Sequence, residues 1–99
     1  MTYKDKYHPQ VKKDLKKIAP NVREIIKTQY IPKLLLNPKQ DEYLSGDLEG
    51  IYSYHVKIAK TDYRIAYIVE ENESAKTVFV LMIAKRGEFY NLLKQRVKK

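Results

Sequence analysis

Tyr63-Arg64-Ile65-Ala66-Tyr67, followed by Val78-Phe79-Val80-Leu81-Met82-Ile83-Ala84 and then Lys85-Arg86-Gly87-Glu88-Phe89-Tyr90, decides how this chain folds. Tyr63, Ile65, Tyr67 and Val69 alternate with Arg64 on the other side, which is the period of a half-buried strand. Val78 to Ala84 is apolar on both faces, as a central strand is. Phe89, Leu93 and Val97 then recur at helical spacing and predict a short closing helix from Gly87 or Glu88. The two strands therefore carry cations at their ends on a rigid β scaffold, an arrangement suited to handling a polyanion.

Upstream, Ile51 to Ile58 also has a period of two. Tyr52, Tyr54, Val56 and Ile58 share one face, and Ile51, Ser53, His55 and Lys57 share the other, which is expected to meet solvent or a ligand. Ala59 to Asp62 turns the chain, and Glu70 to Ala75 turns it again. Lys39 to Gly50 is polar, acidic and glycine-containing, and reads as a connecting loop. Before it, Val11, Leu15 and Ile18 form the apolar stripe of a first helix whose remaining positions hold Lys12, Lys13, Lys16 and Lys17, with Pro9 in its first turn. Ala19-Pro20 breaks that helix. Asn21 with Glu24 resembles a capping box opening a second helix through Val22, Ile25, Ile26 and Tyr30, and Pro32 predicts a kink or restart within it. Thr2 to Tyr7 reads as an edge strand and His8 as a turn residue.

Residues 1–99 are expected to form one domain, because so short a chain buries a single modest core. Twenty Lys and Arg oppose 12 Asp and Glu, a net charge of +8 that favours RNA, DNA, an anionic membrane or an acidic protein as partner. The longest apolar run, Val78 to Ala84, is far shorter than the roughly 20 residues of a spanning helix, so no membrane role is expected. No apolar stretch follows Lys4 and Lys6, so a secretory signal is not expected and the cytoplasm is the predicted location. Cysteine is absent and the only histidines are His8 and His55, which argues against disulfides, thiolate chemistry and a zinc site. No cofactor or metal is expected, and any catalysis falls to Lys, Arg, His, Tyr and carboxylates.

If the strands at 51–58 and 63–70 pair as a hairpin, His55, Lys57 and Arg64 emerge on one face, within reach of Arg86 beyond the third strand. On the helix that follows, Arg86, Tyr90 and Lys94 are spaced by four, which sets Tyr90 beside two cations and off the Phe89 stripe. RNA cleavage by an internal 2′-hydroxyl needs a base, cations for the phosphorane and a donor for the leaving 5′-oxygen. Lys57, Arg64 and Arg86 fit the clamp, and Tyr90 fits a base-stacking platform. Histidine is the side chain whose ordinary pKa lies nearest neutrality, which makes His55 the candidate general base, with a neighbouring lysine as the alternative. Each of these residues alone would ordinarily be a solvated or packing residue.

The order and spacing of Asp62-Tyr63-Arg64-Ile65-Ala66-Tyr67 and Ala84-Lys85-Arg86-Gly87-Glu88-Phe89-Tyr90, together with Val11 to Ile18 and Leu44 to Tyr52, resemble the RelE/ParE superfamily of toxins from toxin-antitoxin systems over nearly the whole chain. The resemblance implies an α+β fold, with an N-terminal strand and a two-helix hairpin packed on a twisted antiparallel sheet and a short C-terminal helix. It implies as partners a cognate antitoxin, acidic and partly helical, and for the RelE-like branch the ribosome and its mRNA, which such toxins cleave as endoribonucleases. On that branch Lys57, Arg64, Arg86 and Tyr90 match positions for proton transfer, phosphate stabilisation and base stacking. His55 stands where some relatives have lysine. Lys85, where many have histidine, and Lys94 are the expected additional RNA contacts. The alternatives are a ParE-like DNA gyrase inhibitor without nuclease activity and a non-catalytic RNA- or protein-binding module. The antitoxin is expected to cover the cationic face or displace the last helix.

Overall fold

In the computed structural model, which describes residues 2–97, five strands form one mixed sheet in the order β1-β5-β4-β3-β2. β3 (Tyr52–Ile58), β4 (Thr61–Glu71) and β5 (Lys76–Lys85) are the antiparallel meander read from the sequence. β1 (Lys4–Tyr7) joins β5 in parallel, so the sheet is not antiparallel throughout. The chain must climb through helices before returning as β3, which leaves the β5 edge free for the first strand in that direction. β2 (Glu42–Tyr43) adds a fifth strand against β3.

Three helices cover one face. α1 (Val11–Lys16) begins after Gln10, with Pro9 in the preceding turn, where the His8 carbonyl accepts from the Val11 N–H. α2 (Pro20–Ile25) starts at Pro20 behind Ala19, without a side-chain cap, so the expected Asn21–Glu24 capping box does not form. Proline at the first helical position has the required φ and lacks only a donor that would be unpaired there anyway. At Ile26–Tyr30 the helix widens into a π turn, with the Ile31 N–H reaching the Ile26 carbonyl, before α3 (Ile31–Leu36). Pro32 thus enters near the start of a fresh helical segment, where its missing N–H and bulky ring are tolerated.

Val11, Ile18, Val22, Ile26, Ile31 and Leu34 pack on Val56, Ile58, Tyr63, Ile65, Tyr67, Val78, Val80 and Ile83. The opposite face, which the β3 pattern was expected to leave to solvent or a ligand, instead holds a second core. There α4 (Phe89–Val97) lays Phe89 and Leu93 on Ala66, Met82 and Ala84, the presumed loop contributes Leu44 and Leu48, and Ile51 joins them just before β3. The register shifts between Ala66 and Tyr67, opposite Leu81. A bulge there lets Leu81 and Met82 both serve the α4 side, which explains why this run shows no alternation.

Candidate functional site

His55 pairs directly with Arg64 across β3 and β4, Lys57 with Asp62, and Ser53 with both Ala66 and Glu42. Alternation then sets Glu42, His55, Lys57 and Arg64 on the α4 side of the sheet. α4 covers the middle of that face, so the open part lies at the β3–β4 turn. His55, Lys57, Asp62, Arg64 and Arg86 line one recess there. Four of the sequence-predicted residues are therefore neighbours.

Arg64 sits at the back of this recess, with its side chain only 9% exposed. Its guanidinium carbon lies 5.8 Å from the Phe89 ring centroid and 5.4 Å from that of Tyr90, and Nη1 donates to the Tyr90 hydroxyl at 2.8 Å. Stacking suits a planar, weakly hydrated cation in a place where a lysine ammonium would lose its water without matching contacts. The same nitrogen is 3.8 Å from Glu42 Oε1, and His55 Nε2 is 3.6 Å from that oxygen. His55 and Glu42 are both well exposed. The recess thus runs from a buried cation to an accessible imidazole and carboxylate.

Tyr90 accepts from Arg64, so its own hydroxyl proton remains free for another acceptor. Its ring meets Phe89 edge-on at 5.1 Å, and the side chain stays exposed. Arg86 lies in the turn before α4, not on the helix, and its N–H bonds to the Asp62 carbonyl at 3.0 Å. That bond closes the turn against the β3–β4 hairpin. Lys94 follows Tyr90 by one helical turn, and both line a second recess with Glu42, Tyr43 and Asp47. Lys85 is not brought to this group. It pairs with Tyr63, whose side faces the other helices, and lines a separate recess with Lys17 and Glu88.

Glu42 was not foreseen, since a two-residue strand carries no periodicity and Glu42 lies within the segment read as a connecting loop. Its placement depends on Asp41, whose Oδ2 accepts from the Tyr67 hydroxyl at 2.6 Å, while the same hydroxyl also meets the Pro38 carbonyl. Burial, and then the Asp41 carboxylate, push the Tyr67 phenol far above its ordinary range. Burial likewise raises Asp41, partly offset by the Tyr67 hydrogen bond and by His55. Among the described residues no three His, Asp or Glu side chains gather into a metal-ligand set, and no helix is long and apolar enough to cross a membrane.

This architecture, a helical layer on a five-stranded sheet with a terminal helix behind it, is that of small toxins seen in several solved structures. The toxin-antitoxin complex RelBE2 from Mycobacterium tuberculosis matches with a TM-score of 0.72 at 21% identity, over 87% of this chain and 100% of the other. A double-arginine mutant of Escherichia coli RelE in the free state matches with 0.68 at 23% identity, over 99% and 100%. The intact Escherichia coli RelBE toxin-antitoxin complex matches with 0.61 at 25% identity, over 84% and 95%. No curated protein sequence matches the chain. The family model described as "ParE-like toxin of type II bacterial toxin-antitoxin system" matches residues 6–94, and the chain belongs to that family.

Proposed function

We propose that this toxin is a ribosome-dependent endoribonuclease that cuts mRNA and so arrests translation. The observation that carries this reading is the unbroken series of contacts from His55 through Glu42 and Arg64 to Tyr90, flanked by Lys57 and Arg86. A messenger strand enters the recess with its phosphate between Arg64, Lys57 and Arg86. His55 takes the proton of the 2′-hydroxyl, and Glu42 beside its Nε2 steadies the imidazolium that forms. The 2′-oxygen bonds to phosphorus, the cations hold the phosphorane charge, and the bond to the 5′-oxygen breaks. Tyr90, polarised by Arg64, gives its proton to that oxygen and recovers one from water. The products are a 2′,3′-cyclic phosphate and a 5′-hydroxyl. Requiring the ribosome fits a recess this shallow, which by itself does little to bend the message for in-line attack. A cognate antitoxin, acidic and partly helical, binds the toxin in the cytoplasm and silences it, as the complexes of RelE-type relatives suggest.

The test is to add purified protein to translating ribosomes and map message ends. Codon-positioned cuts with cyclic phosphate ends support the reading, whereas intact messages during growth arrest remove it. A second reading, inhibition of DNA gyrase without chemistry, is favoured by the ParE-like family description. It requires loss of gyrase supercoiling and retention of toxicity when Arg86 and Tyr90 are replaced.

A further inference from the structure

β1 leaves β5 at Tyr7–Val80, where the His8 N–H makes the last bond to the Val80 carbonyl. Beyond that point Leu81 and Ile83 keep outward-facing backbone groups with no strand beside them. A side-chain pair fills the gap. Asp14 Oδ2 accepts from the Ile83 N–H at 3.1 Å, and Arg96 Nη1 donates to the Leu81 carbonyl at 2.9 Å. The two side chains join through a fork, Nη1 to Oδ2 at 2.6 Å and Nη2 to Oδ1 at 2.9 Å. Both are nearly buried, at 9% and 11% exposure. A carboxylate from α1 and a guanidinium from α4 thus take the place of a neighbouring strand.

The same pair clips α4 to the rest of the fold. α4 has nine residues, and Phe89, Leu93 and Arg96 follow the i, i+4, i+7 spacing, so Arg96 lies on the inward side in the last turn, next to Val97, which packs on the second core. At the other end of the helix Arg64 holds Tyr90. A helix this short has little intrinsic stability and takes its placement from its contacts. Planar, bidentate pairs fix angle as well as distance, which an apolar contact does not.

We infer that Asp14 and Arg96 are positioning residues for the candidate site: by fixing the roll and reach of α4, they set where the Tyr90 hydroxyl meets Arg64. This rests on the nuclease reading for its activity readout, and on the Tyr90–Arg64 geometry for an independent one. The pair lines no part of the recess; it touches α4 and the β5 backbone at Leu81 and Ile83, so its effect on the site passes through those elements.

The experiment compares wild type, Asp14→Asn, Arg96→Lys, Tyr90→Phe and Asp14→Asn/Tyr90→Phe, all verified as folded by circular dichroism. Asp14→Asn keeps the shape and removes the charge; it is expected to slow cleavage by about 10- to 100-fold, as misplacement of a reacting group does. Arg96→Lys, which keeps the charge without the fork, is expected to fall between it and wild type. The double variant is expected to cleave no more slowly than Tyr90→Phe alone, because the loss acts through Tyr90. The NMR signals of the Tyr90 ring and the Arg64 guanidinium are expected to shift in both single variants of the pair. Unchanged signals and unchanged cleavage by folded variants, with only a lower melting temperature, would overturn the inference, as would losses that multiply with Tyr90→Phe. Should Asp14→Asn not fold, Arg96→Lys decides by the same readouts. Should wild type cleave nothing, the nuclease reading falls, and the shifts alone decide the positioning role.

Discussion

Arg64 and Tyr90 meet in two ways at once: the guanidinium donates to the phenol oxygen at 2.8 Å, and its carbon lies 5.4 Å from the ring centroid. One residue comes from the middle of the sheet and the other from the last helix, so this contact ties the cation of β4 to α4. Tyr90→Phe keeps the ring and removes the acceptor. It is expected to cost about 1 kcal/mol of stability, read by urea unfolding, and to slow cleavage by about 100-fold. Arg64→Lys keeps the charge but loses the planar stack, and is expected to slow cleavage by at least as much.

Glu42 and His55 are exposed enough that their contact adds little to folding. Glu42→Gln is expected to leave unfolding within about 0.5 kcal/mol of wild type and to slow cleavage by about 10- to 100-fold. If both residues serve one proton transfer, as proposed, His55→Ala and Glu42→Gln together should lose less than the product of the separate losses. Multiplicative losses in a kinetic double-mutant cycle would place them in separate roles.

Alkaline pH is expected to weaken the fold through Tyr67. Its folded phenol is held well above the ordinary value, chiefly by burial and then by Asp41. The unfolded phenol ionises near pH 10, so the stability due to this group is intact below that pH and is lost as the pH rises from there toward the folded value. Melting temperatures should fall above about pH 10, and Tyr67→Phe should flatten part of that fall while costing about 1–2 kcal/mol at neutral pH. An identical alkaline slope in both proteins would contradict this.

The β3–β4 turn places Ala59 at φ 50° and Lys60 at φ 69°, a left-handed pair that a two-residue hairpin requires and that glycine adopts without strain. Lys60→Gly is expected to stabilise the protein by about 0.5–1 kcal/mol in urea unfolding. Cleavage should be unchanged, because the recess residues Lys57 and Asp62 keep their pairing.

The strands that carry His55, Lys57 and Arg64 were legible because alternation with Tyr54, Val56 and Ile65 leaves one reading of their faces. Leu93 and Phe89 likewise announced α4, although not what it would cover. The two-residue β2 was illegible, and with it Glu42, because its position is set by Tyr67 holding Asp41 from across the sheet. Arg86 and Tyr90 share a helical spacing that the structure does not use in full, since the helix starts only at Phe89. Pro32 announced an interruption of the second helix but not its form as a π turn, and the Asp14–Arg96 fork joins segments far apart in the chain, which no local pattern encodes.

The most direct test sets a recess residue against plain basicity. Single-turnover cleavage of a ribosome-bound message is measured for wild type, Arg86→Ala and a Lys13→Ala/Lys16→Ala pair in α1. Short-range stabilisation of the phosphorane predicts a loss of about 100-fold or more for Arg86→Ala and only a few-fold for the lysine pair. Equal losses would show that net charge, and not the site around Arg64, carries the activity.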